Sequence, residues 1–380
     1  FLTIYLTRNG HSVTAAATAV SAWSVGNFAG GLLGGWLADH LGRRHTIVLG
    51  TGTAALSVMM IYAVDSLPAI ILWTVITGIA NGTYIPANTA LLVDLVPPAL
   101  RVRGFAALRL AGNAGFACGA ALGGLLATGS FLWLFLGDAI TTLAYTCVAL
   151  MLLPQGLRGQ TREAPWSVAI AHIRSNHSFQ RLFLASVCSA LVFSQFGTTF
   201  SLYITHAGLQ LGKLAPETIY GLLIGWNGVL VVLCELPLTG WTQRFDPRRV
   251  MAIGYVLLGG GFALNAFAHG LPLLVVAMTV FTVGEMISMP VSGALLSRLA
   301  PATMRGRYMG AQSLSWSGAG IIGPLAGAAL FERSPQLVWF SCGALGLIGA
   351  LILLRMRTPV DEPANDGSYV ETAAPLREAT

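Results

Sequence analysis

Four ionisable residues, Asp138, Arg109, Glu235 and Glu285, lie inside long apolar stretches of the chain. A charge at mid-bilayer costs at least about 2.5–3.5 kcal/mol, so each is a candidate for function. Glu285 sits midway between Pro272 and Arg298, near the centre of its segment. A desolvated carboxylate tends to hold its proton and can release it when water enters. Proton coupling or cation recognition is therefore the expected chemistry of Glu285, with a structural hydrogen bond as the alternative. Arg109 is six residues past Arg103 and Glu235 five before Gly240. At about 1.5 Å per helical residue, both lie less than about 10 Å from the same boundary. Asp138, within Phe135-Leu136-Gly137-Asp138-Ala139, is a second titrating candidate for which a structural role is preferred. Asn113 and Gln195 are uncharged candidates for a cavity wall, with helix packing equally open.

The stretch from Gly34 to Arg44 packs Asp39, Gly35, Gly42, Arg43 and Arg44 into a tight turn between two apolar segments. The glycines permit close helix contact and a left-handed turn. Asp39 is placed to meet the free N–H groups of a helix start, which favour an anion. A similar spacing returns 205 residues later, from Gly240 to Arg249, with Arg244 in place of the Asp and Pro247 in place of the Gly. That second copy is expected to be structural. Gly115, Gly119 and Gly123, with Gly124 beside them, repeat every four residues, the small-residue pattern of close helix packing.

Other chemistries have no residues to carry them. No Walker loop, H-E-x-x-H, paired Cys/His set or nucleophile elbow is present, so no enzyme activity, metal or cofactor is expected. The five cysteines fall singly in apolar segments and read as small core residues. His172 and His177 lie in a polar linker and are expected to be solvated.

The elements that must position these groups are membrane helices. The chain is 55% hydrophobic and 9% charged, with mean hydropathy +0.71. Soluble domains carry about 25% charged residues, so the lipid bilayer is the solvent for most of this chain. Apolar segments span about 13–36, 45–64, 68–95, 101–127, 131–153, 179–206, 217–240, 248–268, 271–299, 305–331 and 336–355. Each reaches the roughly 20 residues a crossing helix needs. The net charge of +6 does not point to nucleic acid, because the arginines cluster in alternate loops. The other loops hold only Arg8, Lys213 and Arg333. This asymmetry makes the arginine-rich loops cytoplasmic.

The chain repeats itself. At an offset of 204, Pro68, Pro86, Pro97, Arg101, Arg103, Gly119 and Gly123 match Pro272, Pro290, Pro301, Arg305, Arg307, Gly323 and Gly327. At an offset of 198, Tyr5 and Gly10 match Tyr203 and Gly208, so a first helix is expected to extend about 20 residues upstream of Tyr5. The expected organisation is an N-terminal six-helix bundle over 1–153 and a cytoplasmic linker over 154–178. A C-terminal bundle over 179–357 and a disordered cytoplasmic tail over 358–380 complete it. Within the linker, Trp166, Val168, Ile170 and Ile173 suit a short amphipathic helix.

The two loops, in matched places of two similar halves, resemble the signature loop between helices 2 and 3 of the major facilitator superfamily. The resemblance covers essentially the whole chain. It implies an all-α membrane protein with two six-helix bundles in parallel repeat, working by alternating access. It further implies a latch in which Asp39 meets the Arg305–Gly310 helix start and Arg43 pairs with Asp94. It places Glu285 toward a central cavity, makes helix 6 peripheral, and sets helices 5 and 8 side by side so that Arg109 and Glu235 pair on closure. Helix 5 is similar to the superfamily's antiporter motif, although Ala120 stands where that motif has proline; Gly323-Pro324 on helix 11 has the pair. Thr74 occupies a place where drug antiporters commonly have arginine. The run Arg101 to Gly124, with Gly284-Glu285-Met286 and Arg305 to Gly310, is most like the MdtH-like multidrug-efflux branch.

The implied function is proton-coupled efflux of amphiphilic small molecules by a monomer in a bacterial-type inner membrane, both termini cytoplasmic. Its partners would be the substrate, protons and the lipid bilayer, with no nucleic acid. A proton-linked importer of a sugar, peptide or organic acid and a non-transporting membrane sensor remain the alternatives.

Overall fold

The computed structural model describes residues 1–97, 101–154, 166–206, 213–242, 244–301 and 304–356. Among them the secondary structure is helical: α1 (Leu2–Arg8), α2 (Val13–His40), α3 (Arg43–Ala63), α4 (Leu67–Leu95), α5 (Arg101–Gly129), α6 (Phe131–Leu152) and α7 (Trp166–Ser175). There follow α8 (His177–Ser194), α9 (Thr199–His206), α10 (Pro216–Thr242), α11 (Pro247–Leu264), α12 (Leu271–Leu299), α13 (Arg305–Arg333) and α14 (Pro335–Leu354). Ten helical segments are long and apolar enough to cross a membrane, counting α8 and α9 as one. The 28-residue α2 coincides with the eleventh expected span.

Local chemistry sets the helix starts. Ser12, Ser130, Asn176 and Asp246 cap α2, α6, α8 and α11 by accepting backbone N–H bonds, which satisfies donors that have no partner within the helix. Proline stands in the first turn of α4, α11, α12 and α14, where its missing N–H costs nothing. The repeat is kept to the residue: α12 and α13 begin and end 204 residues after α4 and α5.

In the first half α2 and α3 pack on α4, and α3 on α6. In the second, α11 packs on α12 and α14, α8 on α13 and α14, and α10 on α12. The halves meet along α5–α10 and α2–α13. Under the repeat these two contacts are images of each other. The second half is filled by an aromatic cluster: Phe262 stacks on Phe281 at 4.4 Å, and Phe196 on Phe281 at 5.4 Å.

Helix 7 is not continuous over 179–206, as its apolar run suggests. It breaks at Gln195–Thr198 into α8 and α9. Freed carbonyls at the break find side-chain donors: Thr3 Oγ1 donates to Gly197 O at 3.3 Å and Tyr220 Oη to Phe196 O at 3.3 Å. The expected linker helix forms as α7, with Val168 and Ile170 exposed and Ile173 packed on the second half. His172 is not simply solvated, because its Nδ1 lies 2.6 Å from the hydroxyl of buried Tyr308. Residues 155–165 and the tail 358–380 lie outside the described residues.

Candidate functional site: a cavity between the halves and the loops at its ends

A cavity of about 970 Å³ lies between the two halves. Trp23, Phe116, Phe193, Phe196, Tyr220 and Trp316 supply its aromatic walls. The helix break contributes Ser194, Phe196 and Gly197. Non-helical backbone at membrane depth is tolerated where it lines a cavity. The carboxylate in the wall is Asp138, beside Thr141, with Thr142 Oγ1 at 3.4 Å from Asp138 Oδ1. Asp138 thus faces the cavity, although the resemblance makes helix 6 peripheral.

Glu285 is not among the lining residues. It is half-buried on α12 and accepts a 2.8 Å hydrogen bond from Asn227 Nδ2 on α10. Asn227 also donates to Thr282 Oγ1 at 2.9 Å. Glu285 stands at the middle of α12, as its sequence position implies, but that position could not give its azimuth. Gly284 presses α12 onto α11, and Glu285, the next residue round the helix, points toward α10.

Gln195 belongs to packing and not to the cavity wall. Its amide donates to Leu191 O and Gly323 O, both at 3.1 Å, and accepts from Thr199 Oγ1 at 2.9 Å. Asn113 is half-buried on α5 and does not line the cavity. Glu235 is buried on α10. Helices α5 and α10 are neighbours, as the Arg109–Glu235 pairing requires, but the Arg109 side chain lies outside the described residues.

The glycine stripe on α5 also needs correction. Gly115 and Gly119 have open space on their Cβ side and line the cavity, and Gly123 faces Phe1 and Leu134. The packing stripe is the adjacent one, Ala117, Ala120, Ala121 and Gly124, set against Gly221, Gly225 and Gly228 of α10. Both stripes are small, so four-residue spacing alone cannot say which meets a helix. Gly323 does pack as expected: a Cβ there would fall 2.7 Å from Ser194 Cβ, while Pro324 lines the cavity.

Another close approach was missed. Gly26, Gly30 and Gly34 of α2 lie against the backbone of Val75, Ile79 and Thr83 on α4, and Gly78 and Gly82 against α2. Its signal, glycines every four residues in both segments, stands in the sequence.

At the arginine-rich end, Arg43 Nε lies 3.5 Å from Asp94 Oδ2, with side chains 11% and 14% exposed. Arg44 Nη1 donates to Leu153 O at 3.5 Å, near the end of α6. In the second half Arg248 Nη1 donates to Met356 O at 2.7 Å, past the end of α14. Arg44 and Arg248 are thus counterparts at an offset of 204, each on a helix C-terminus where cations are favoured. The loop copies align at 204, not 205, so Asp246 is the counterpart of Gly42. Burial pushes the Asp246 carboxyl up. Hydrogen bonds from the Arg248 side chain and amide, and the charges of Arg248 and Arg249, outweigh it and hold the group below its ordinary value. The Asp39 side chain lies outside the described residues, and with it the expected contact to Arg305–Gly310; of Gly35 only the helical backbone is described.

Gly42 caps α3 with φ +93 and ψ 154. This is an extended, positive-φ turn rather than the left-handed helical one expected, and essentially only glycine adopts it. Gly42→Ala is expected to cost about 1–3 kcal/mol, read as a lowered midpoint of thermal unfolding in detergent.

The family model described as Major Facilitator Superfamily matches residues 1–216 and 212–378. An uncharacterized MFS-type transporter, YttB of Bacillus subtilis, is 31% identical over 343 residues, covering 87% of this chain and 83% of its own. The multidrug resistance protein MdtH of Aeromonas salmonicida is 28% identical over 336 residues, covering 85% and 81%. A crystal structure of the peptide transporter POT in complex with sulfate superposes with a TM-score of 0.78 at 17% identity, covering 93% of this chain and 89% of that one. That last likeness concerns the fold.

Proposed function

The chain belongs to the major facilitator superfamily, and we propose that it exports amphiphilic small molecules in exchange for protons, by alternating access. It is a multi-pass secondary transporter; the substrate class and the coupling ion are the proposal. The observation that carries it is the cavity between the halves. Its volume of about 970 Å³ suits a drug-sized molecule, and its aromatic walls with one carboxylate, Asp138, suit a lipophilic cation. The MdtH relative, a multidrug resistance protein by name, supports export. The charge asymmetry of the loops supports a plasma or bacterial inner membrane with the arginine-rich end cytoplasmic. Proton entry supplies the energy: where the exchange carries one net charge inward, each 100 mV is worth about 2.3 kcal/mol, a roughly fiftyfold gradient, and a one-to-one exchange for a monovalent cation draws on the pH difference alone.

Two carboxylates divide the work in this reading. Asp138 meets the substrate cation or a proton in the cavity. Glu285, held by Asn227, is the second coupling candidate. The division of the chain into bundles, linker and tail is the frame in which the halves rock. The Arg43–Asp94 pair holds one half rigid at the cytoplasmic end.

The test uses proteoliposomes with a pH-sensitive dye inside, an imposed proton gradient and a panel of lipophilic cations. Substrate-triggered proton flux is expected. Asp138→Asn removes a charge-assisted contact of about 1.5–3 kcal/mol, so apparent affinity for cations is expected to fall about 10- to 100-fold. Glu285→Gln is expected to leave cation binding and weaken proton flux. Flux untouched in both variants would remove these acids from the coupling. Silence across the panel, with proton-driven uptake of a sugar, peptide or organic acid, would replace export by import.

A further inference from the structure

Arg8 ends α1 in the first half, and Glu217 opens α10 in the second. The two form an ion pair in which the glutamate side chain is 1% exposed and the arginine 52%. A carboxylate so deeply buried is tolerable only while paired. Among the described residues Arg8 is its ion-pair partner, and neither carboxylate oxygen accepts a further hydrogen bond. The sequence reading passed over Glu217 because it stands at a helix start, where a carboxylate is ordinarily a solvated complement to the helix dipole.

The pair is part of a ring of contacts at the end opposite the arginine-rich loops. Thr14 Oγ1 donates to Glu332 Oε1 at 2.5 Å, joining the start of α2 to the end of α13. Thr218 Oγ1 donates to Gly124 O at 3.4 Å. A Cβ on Gly221 would lie 2.8 Å from Gly124 Cα, so α5 and α10 touch backbone to backbone there. Thr3 to Gly197 completes the set. These are the polar contacts across the halves with described residues on both sides. Further along α5, Gly112, Gly115 and Gly119 have open space, as does Gly318 on α13. The two halves are thus in contact at this end, and among the described residues Arg8–Glu217 is the charged contact there.

We propose that Glu217 is a proton-binding site that controls this closure. A proton from the aqueous phase at this end enters past half-exposed Arg8 and binds the Glu217 carboxylate. The acid so formed is neutral, its attraction to Arg8 is gone, and Arg8 turns to water. The helix starts at α2 and α10 then separate. Loss of the proton restores the pair and recloses the end. Other titratable groups at this end are His11 before α2, Asp65 before α4, His206 ending α9, Lys213 before α10, His269 before α12, and Glu332 with Arg333 on α13; α5 contributes none at this end. Assigning this end to the outside rests on the loop-charge reading of orientation. The site itself depends on neither the substrate class nor the direction of transport.

The test is hydrogen–deuterium exchange of the full chain in lipid nanodiscs, followed by mass spectrometry and corrected for intrinsic pH dependence. In the wild type, acidification is expected to raise exchange at residues 8–16 and 213–222. Glu217→Gln, a mimic of the protonated state, is expected to raise exchange there about tenfold or more at neutral pH, the worth of a charge-assisted contact, and to abolish the acid response. Arg8→Gln, at a half-exposed position that tolerates change, removes the cation favouring the charged carboxylate. With no partner left to release at any pH, exchange at residues 8–16 and 213–222 is expected to be raised already at neutral pH and the acid-induced opening to be lost. An acid response unchanged in Glu217→Gln overturns the proposal, as does a response that vanishes in Glu332→Gln instead. If Glu217→Gln loosens the whole chain, Arg8→Gln decides: loss of the acid response confined to this end upholds the site, and an unchanged acid response overturns it.

Discussion

Gly30→Leu is expected to abolish the folded protein. Gly30 lies where α2 crosses α4, and a Cβ there would fall 2.8 Å from both Ile79 C and Ile79 Cα. The obstructing atoms are backbone, so no rotamer change relieves the overlap. Overpacking a core ordinarily costs about 1–3 kcal/mol when side chains can yield, and here the helices themselves must separate. Separation would undo the neighbouring contacts of Gly26, Gly34, Gly78 and Gly82 together. In lipid, van der Waals packing of this kind replaces the missing hydrophobic drive between helices. The measurement is the yield of monodisperse protein on size exclusion after detergent extraction. Gly31→Leu is the control, because a Cβ on Gly31 meets nothing; it is expected to give wild-type yield. Equal yields from both variants would show that the crossing is dispensable.

Arg43→Ala is expected to lower both stability and transport. The Arg43–Asp94 pair ties the start of α3 to the end of α4, with both side chains mostly buried. Removing one partner of a buried pair costs about 3–5 kcal/mol, because the other charge loses its compensation. Asp94→Asn combined with Arg43→Gln is expected to recover part of that loss, since both charges of the pair are then removed together. Thermal unfolding in detergent reads stability, and transport per folded molecule in proteoliposomes reads the gate. If Arg43→Ala loses stability but keeps transport per molecule, the pair is a clamp and not part of the gate. The pair has no image in the second half, where α11 begins with Pro247 and α12 ends beside Arg298.

Much of the fold was legible. The eleven apolar runs coincide with helices because one local requirement, about 20 apolar residues, decides each crossing. The repeat at 204 foretold that α4 and α5 recur as α12 and α13. The Arg43–Asp94 contact came from the resemblance of the loop, not from its spacing. The break of helix 7 was not legible, because Gln195-Phe196-Gly197-Thr198 contains no proline, and the donors that satisfy it, Thr3 and Tyr220, come from elsewhere in the chain.

What the sequence determined by itself is the existence and approximate limits of the long apolar helices, since transfer into lipid acts on each segment alone. What the tertiary structure decided is rotation: which stripe of α5 meets α10, that Glu285 turns to Asn227, that Asp138 faces the cavity, and that Glu217 meets Arg8. Helices α2, α4 and α12 are apolar on every side, with little amphipathic asymmetry. Lipid and protein interior reward the same residues, so the inward face of such a helix carries no mark until its neighbours are in place.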